Sequence, residues 1–287
     1  MSGTWRDTTP TELEAQYDNR AAVPEHPEIF ERWRADSDRT RAELDGRLNL
    51  PYGSDPRQSL DLFLPEVLKP PLHVFVHGGY WQALDKDHFS FLARGFVDRG
   101  IAFAALGYRL CPAVRVDDIV EDVRQGCLTL HRQHHRLGID PERVQVSGHS
   151  AGGHLIAMLM ATRWRDYGRK IPDQLMQSAL SLSGLFELEP LLTLPPNVAL
   201  GLDESSARRL SPALLVPQCR IPLVLAVGED ESAEYHRQSA AIDAAWGERG
   251  VAVDSLSLPG HNHFTIVDEL TATGLLFGLA VSMLESA

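Results

Sequence analysis

The segment Gly148-His149-Ser150-Ala151-Gly152-Gly153 constrains this chain more than any other. It stands between a short β-branched run, Val144-Gln145-Val146, and an apolar helical stretch at 151–161. A strand that becomes a helix within so few residues forces the serine at the turn into a strained backbone conformation. Glycines two before and two after it let the crossing backbones pass without Cβ clashes. The serine hydroxyl is then exposed at the carboxyl edge of a sheet, where a nucleophile is useful.

A turn of this kind needs strands alternating with helices, and the chain supplies both. Apolar runs at 72–76, 101–106, 144–146, 179–182 and 223–227 read as buried strands. Between them, Val120, Val123, Cys127 and Leu130 form one helical stripe behind an acidic start of Asp117, Asp118, Glu121 and Asp122. Helical patterns recur at 151–161, 234–246 and 265–284. Leu60, Leu62 and Leu64 alternate with Ser59, Asp61 and Phe63 before Pro65, as in a partly exposed strand. The fold class is therefore α/β, a mainly parallel central sheet with helices on both faces.

Two segments stand outside this rhythm. Residues 1–50 carry helix-like stretches at 11–16 and 25–44 and read as a helical N-terminal extension. Residues 185–222 hold Pro190, Pro195, Pro196, Pro212, Pro217 and Pro222, which central strands and helix interiors do not accept. That stretch is expected to be an insertion of short helices capping the site. The chain, 1–287, is expected to form a single domain.

A second motif, His77-Gly78-Gly79-Tyr80-Trp81, ends the 72–76 strand at the same sheet edge. Glycines there let backbone N–H groups approach a carbonyl oxygen that gains negative charge in acyl transfer. Removing one such donor commonly costs about 10²–10³ in rate. The expected oxyanion donors are the amides of Gly79, Tyr80 and Ala151. A serine also needs a histidine base and an acid that orients it, in the order Ser, acid, His. The loop Pro259-Gly260-His261-Asn262-His263-Phe264 offers His263, next to the final helical pattern, with His261 as the alternative. Gly228-Glu229-Asp230-Glu231-Ser232 follows the 223–227 strand, and the acid three positions after the glycine is Glu231, with Asp230 as runner-up. Trp81 and Phe186 are expected, with Tyr80, to line the substrate pocket.

Composition narrows the partners. A formal net charge of −12, with basic residues scattered among acids, excludes an electrostatic nucleic-acid binder. Cys111, Cys127 and Cys219 are far apart and form neither a disulfide framework nor a metal clamp. His131, His134 and His135 cluster on one helix without HExxH, and read as a solvated face; no metal and no cofactor is expected. The first residues lack the basic and apolar regions of a secretory signal, and the apolar run 275–284 is shorter than the ~20 residues that span a bilayer. The expectation is a cytoplasmic protein with a small amide or ester as its partner, with neither nucleic acid nor membrane, and with room for a homodimer.

These segments together resemble the α/β-hydrolase superfamily, and within it the serine-hydrolase type of kynurenine formamidase (arylformamidase). His77 to Trp81 is similar to the HGGxW oxyanion motif of those enzymes, where hormone-sensitive-lipase-like esterases usually carry HGGG. Gly148 to His154 resembles their nucleophile segment. Glu231-Ser232-Ala233-Glu234-Tyr235-His236-Arg237-Gln238-Ser239 resembles their acid segment, in which an aspartate more usually stands at the position of Glu231. His263-Phe264 resembles the histidine segment and favours His263 over His261. Tyr17-Asp18-Asn19-Arg20 and Leu50-Pro51-Tyr52-Gly53 extend the resemblance over most of the chain. It implies an α/β-hydrolase fold with a short helical cap, and cleavage of N-formylkynurenine to kynurenine and formate by Ser150, His263 and Glu231. A short-chain carboxylesterase is the alternative, since one triad serves many acyl substrates. A non-catalytic hydrolase-fold binding protein is disfavoured, because Ser150, His263 and an acid are all present.

Overall fold

The computed structural model describes residues 5–286, whose strands form one eight-stranded sheet in the order β1-β2-β4-β3-β5-β6-β7-β8. The strands are β1 (Gly46–Pro51), β2 (Ser59–Phe63), β3 (Leu72–Val76), β4 (Ala102–Leu106), β5 (Val144–His149), β6 (Ser178–Leu182), β7 (Leu223–Gly228) and β8 (Val253–Leu258). β1 and β2, and β2 and β4, pair antiparallel; every later pairing is parallel. The sheet grows in opposite directions from β3, toward β4 on one side and β5 on the other. The loops after β3 and β5 therefore part at the carboxyl edge and leave a crevice, the usual ligand position in open α/β sheets.

Period-two side-chain alternation builds a core on each face. Leu60, Leu62, Val74, Val76, Ala104 and Leu106 join one apolar cluster with the helices Val116–Arg132, Ala151–Met160 and Ala233–Gly247. Phe63, Phe75, Phe103 and Ala105 join the other, with the helices His26–Glu43, Ala93–Asp98 and Leu275–Glu285. The mixed sheet with helices on both faces is the expected α/β-hydrolase architecture.

Four details differ from the sequence expectation. The N-terminal extension is helical only to Glu43; its last residues form β1, whose polar Arg47 and Asn49 gave no strand signal at an exposed edge. β2 is buried throughout rather than partly exposed, and its Asp61 is neutralised there by Lys86 at 3.0 Å while accepting from the Asn49 amide at 2.7 Å. The short helix Ala93–Asp98 lies between β3 and β4. The expected helix at 265–284 is two pieces, a 3-10 helix Thr265–Leu270 and the helix Leu275–Glu285. Glu269 accepts from the Leu275 amide at 2.5 Å, restarting the helix after Gly274, whose position admits no Cβ because it would lie 2.1 Å from the Glu269 carbonyl oxygen. The 185–222 stretch consists of short helices, Glu189–Thr193, Asn197–Leu200, Glu204–Arg209 and Pro212–Leu214.

Candidate active site

The turn after β5 has the strained form that its glycines require. Ser150 sits at φ 56° and ψ −118°, a conformation that L-residues hold only when the surroundings enforce it. A Cβ on Gly148 would lie 2.4 Å from the Gly152 carbonyl oxygen, and one on Gly152 would lie 2.0 Å from that of Val76. β3, β5 and the Ala151–Met160 helix thus meet at a spacing open to glycine alone. The Ser150 amide donates to Leu182 at 2.8 Å, which ties the elbow to β6.

A row of hydrogen bonds runs from this serine into the protein. His263 Nε2 lies 3.1 Å from Ser150 Oγ, and His263 Nδ1 lies 2.6 Å from Glu231 Oε2. The Glu231 side chain is fully buried, and its other oxygen accepts from Ser183 Oγ at 2.5 Å and the Gly228 amide at 2.7 Å. Three donors on one buried carboxylate offset its desolvation. Glu231 is thus the acid beside the imidazole, while Asp230 is exposed. His261 pairs instead with Glu269 at 3.0 Å, so His263 is the histidine that meets the serine.

The neighbours of His263 hold it in place. Its carbonyl oxygen accepts from His149 Nε2 at 2.6 Å. Burial and the adjacent His263 keep His149 well below its ordinary pKa, so it is neutral with its proton on Nε2. The ring of Tyr235 lies against that of His263, with centroids 4.6 Å apart.

The β3 loop turns sharply through Gly79, Tyr80 and Trp81, with φ of 106°, 54° and 56°. Among the described residues, the amides of Gly79, Tyr80 and Ala151 donate to no acceptor, which leaves three N–H groups beside Ser150. His77 braces the loop: its ring stacks on Tyr108 at 4.1 Å, and the Tyr108 hydroxyl donates to the His77 carbonyl at 2.7 Å.

A cavity of about 540 Å³ opens over these groups. Ser150, His263, His149, Gly79 and Tyr80 form its floor; Leu194, Pro195 and Pro196 come from the expected cap; Glu14, Tyr17, Asp18, Asn19 and Arg20 come from the N-terminal extension. The extension is clamped to the acid-bearing loop. Ser232 Oγ donates to the Gln16 carbonyl at 2.6 Å, and the Tyr17 hydroxyl donates to Glu234 at 2.7 Å.

The two expected pocket aromatics do not line this cavity. Trp81 is fully buried, its ring edge-on to His154 at 5.0 Å, and Phe186 is fully buried where its amide donates to Gln238 at 2.7 Å. Both are packing residues: the left-handed turn at Trp81 directs its indole into the core beneath the loop. Sequence reasoning gave Ser183, Tyr235 and Asn19 no role at the site: Ser183 and Asn19 reach it from distant elements, and Tyr235, four residues after Glu231, carried no motif signal of its own. It also gave no role to His154, whose Nε2 donates to the Leu210 carbonyl at 2.8 Å and stitches the 185–222 segment to the Ala151–Met160 helix. His131, His134 and His135 lie away from the site, and no group able to hold a metal occurs among the described residues.

A mixed sheet turning at a strained serine, with histidine and glutamate in sequence behind it, defines a class: this chain is a hydrolase of the α/β-hydrolase fold. It is 31% identical over 283 residues to kynurenine formamidase of Salmo salar and 29% identical over 282 residues to that of Danio rerio, each match covering 93% of both chains. The chain belongs to the kynurenine formamidase family. Residues 60–179 also match the BD-FAE family model. Among solved structures, a protein of Silicibacter sp. TM1040 provisionally named a thioesterase superposes with a TM-score of 0.82 at 30% identity, over 96% of this chain and 99% of that one. Esterase B of Lactobacillus rhamnosis shares the fold, with a TM-score of 0.72 at 19% identity over 93% of this chain and 97% of that one.

Proposed function

We propose that the enzyme is an arylformamidase-like serine hydrolase that cleaves N-formylkynurenine to kynurenine and formate through a formyl-enzyme on Ser150. The observation that carries this reading is the unbroken row Ser150–His263–Glu231 on the floor of the cavity. His263 Nε2 takes the Ser150 proton as Oγ attacks the formyl carbon, and Glu231 offsets the positive charge that the imidazole gains. The amides of Gly79, Tyr80 and Ala151 receive the developing oxyanion. His263 then returns the proton to the leaving arylamine. Water repeats the sequence at the acyl carbon, releasing formate and restoring the serine. No step needs a metal or an organic cofactor.

Two features favour this substrate over a minimal ester. The volume of about 540 Å³ lies within the usual range for drug-sized ligands, roughly 300–1,000 Å³. Its N-terminal wall carries Glu14, Asp18 and Arg20, charges of both signs that suit an amino-acid zwitterion on the leaving group. The same machinery would serve a short-chain carboxylesterase, and the esterase neighbours keep that as the second reading. We assign the cytoplasm as its compartment, in keeping with three buried free thiols among the described residues.

The deciding experiment compares kcat/KM for N-formylkynurenine with that for p-nitrophenyl acetate and butyrate, with Ser150→Ala as control. A strong formamide preference, abolished in Ser150→Ala, is the expected result. Efficient ester turnover beside negligible formamide cleavage would overturn the formamidase assignment and leave the esterase.

A further inference from the structure

The loop after β3 holds three consecutive residues at positive φ, and two of them, Tyr80 at 54° and Trp81 at 56°, carry side chains. Such a backbone persists only where its surroundings fix it. Most of the loop is fixed through its carbonyls. That of His77 accepts from the Tyr108 hydroxyl at 2.7 Å, that of Gly79 from the Gln82 and Ala83 amides at 2.9 Å each, and that of Trp81 from the Cys111 amide at 2.8 Å. Tyr80 differs. Among the described residues nothing donates to its carbonyl, and its amide is one of the three left free beside Ser150. Its one hydrogen-bonded hold is through the side chain, whose hydroxyl donates to the Tyr17 carbonyl at 3.2 Å.

Tyr17 is itself fixed. Its ring is buried, and its hydroxyl donates to Glu234 at 2.7 Å and accepts from Gln238 Nε2 at 2.9 Å. Both partners stand on the helix Ala233–Gly247, which follows the acid Glu231. We propose that Tyr17 and the Tyr80 hydroxyl are positioning groups for the oxyanion hole: the N-terminal extension ties the oxyanion loop to the acid-bearing segment and keeps the Tyr80 amide aimed at the developing charge. This rests on the reading of Ser150 as nucleophile and of the Gly79, Tyr80 and Ala151 amides as oxyanion donors.

The carbonyl oxygen is a neutral acceptor in the bound substrate and carries negative charge in both tetrahedral intermediates. A misaimed amide therefore weakens the transition states far more than the complexes that precede them. Acylation and deacylation each pass through an oxyanion, so both slow together; kcat falls and KM stays. Removing the Tyr17 hydroxyl orphans neither of its partners. Glu234 keeps Arg237 at 2.8 and 3.0 Å, and Gln238 keeps the Glu187 carbonyl at 2.9 Å. Tyr17→Phe thus loosens the extension while the helix it is tied to keeps its own contacts.

The test is hydrolysis of p-nitrophenyl acetate by the full chain, comparing wild type with Tyr80→Phe, Tyr17→Phe and the double variant. Tyr80→Phe keeps the ring and removes the bond to Tyr17. Its kcat/KM should fall about tenfold with KM within about twofold, the size of one good hydrogen bond and short of the roughly 10²–10³ for outright loss of a donor. Tyr17→Phe should fall in the same direction by less. Trifluoroacetophenone adds a readout that general loosening does not move in step. Ser150 Oγ bonds to its carbonyl carbon, the π electrons pass to oxygen as an oxyanion, and the serine proton passes to His263. Its inhibition constant should rise by the factor that kcat/KM loses, while that of acetophenone stays put. Because both changes act on one bond, the double variant should be no worse than Tyr80→Phe. No loss in Tyr80→Phe, a loss unmatched in the trifluoroacetophenone constant, or losses that multiply in the double variant would overturn the proposal. Undiminished turnover in Ser150→Ala, or trifluoroacetophenone binding wild type no better than acetophenone, would instead overturn the reading of the site itself.

Discussion

His263 Nδ1 and Glu231 Oε2 lie 2.6 Å apart, and the second oxygen of Glu231 is held by Ser183 and the Gly228 amide, so the carboxylate cannot turn away from the imidazole. Glu231→Gln would present an amide N–H or a weaker acceptor to Nδ1 and favour the wrong tautomer. We expect kcat to fall by about 10³–10⁴ with the fold intact, as for the equivalent change in other triads. Asp230→Asn should leave kcat within about twofold, since an exposed loop carboxylate makes no contact with the imidazole. Steady-state kinetics on the two variants reads both outcomes, and a reversed order would assign the acid to Asp230.

The strain at Ser150 separates activity from stability. Its φ of 56° suits glycine, so Ser150→Gly should abolish turnover yet raise stability by about 1 kcal/mol. Ser150→Ala should abolish turnover without that gain. Thermal unfolding of the two inactive proteins makes the comparison, and equal midpoints would remove strain as the explanation.

Two glycines predict opposite signs for one substitution. Gly152→Ala places a methyl 2.0 Å from the Val76 carbonyl oxygen, so the Ala151–Met160 helix must move off β3 at a cost of about 3 kcal/mol or more. Gly278 lies inside the Leu275–Glu285 helix, where a Cβ meets nothing within 4 Å. Gly278→Ala should stabilise by about 0.5–1 kcal/mol. Urea denaturation of both variants gives the values directly.

Burial holds His73, His77 and His154 at about 4 in the folded protein, against about 6.5 for a free histidine. Below pH ~6.5 the unfolded chain therefore binds protons that the native state refuses, and stability falls as pH drops from there toward 4. Each such histidine adds about 1.4 kcal/mol per pH unit inside that window. The depressed carboxylates, Asp140 and Asp203 among them, lose stability in the same direction but only nearer their own lower range. Urea midpoints measured from about pH 7 to pH 5 should decline steeply, and less so in His154→Gln. A flat profile would contradict the burial of these rings.

Trp81 was expected at the pocket and lies beneath it. Trp81→Phe should lower the unfolding midpoint and leave KM unchanged, because the indole touches His154 rather than the cavity. Leu194→Ala, in the cavity wall, should raise KM with a smaller loss of stability. A KM shift in Trp81→Phe matching that of Leu194→Ala would return Trp81 to the pocket.

What could be read in advance was whatever depends on neighbours in the chain. The interior strands β3 to β7 announced themselves as short apolar runs because both of their faces are covered. β1 did not, because an edge strand is specified by pairing with β2 rather than by its own side chains. The seam in the last helix was hidden for a related reason: its apolar pattern continues across Gly274, and only the Glu269 carbonyl makes that glycine obligatory. Trp81 and Phe186 show the converse error, in which aromatics beside catalytic motifs suggest a pocket lining when the backbone turns them inward.

The sequence by itself determined the elbow at Ser150, the glycine loop that faces it, and the order of serine, acid and histidine, since each rests on backbone sterics within a few residues. It ranked Glu231 over Asp230 and His263 over His261 without bringing either to the serine, and it placed Trp81 and Phe186 wrongly in the cavity wall. Both were decided by tertiary structure, because hydrogen bonds of 2.6 and 3.1 Å join residues 32 and 113 positions apart. Only the packed sheet fixes such distances, by stacking the ends of β5, β6, β7 and β8 at one edge and drawing the N-terminal extension across them.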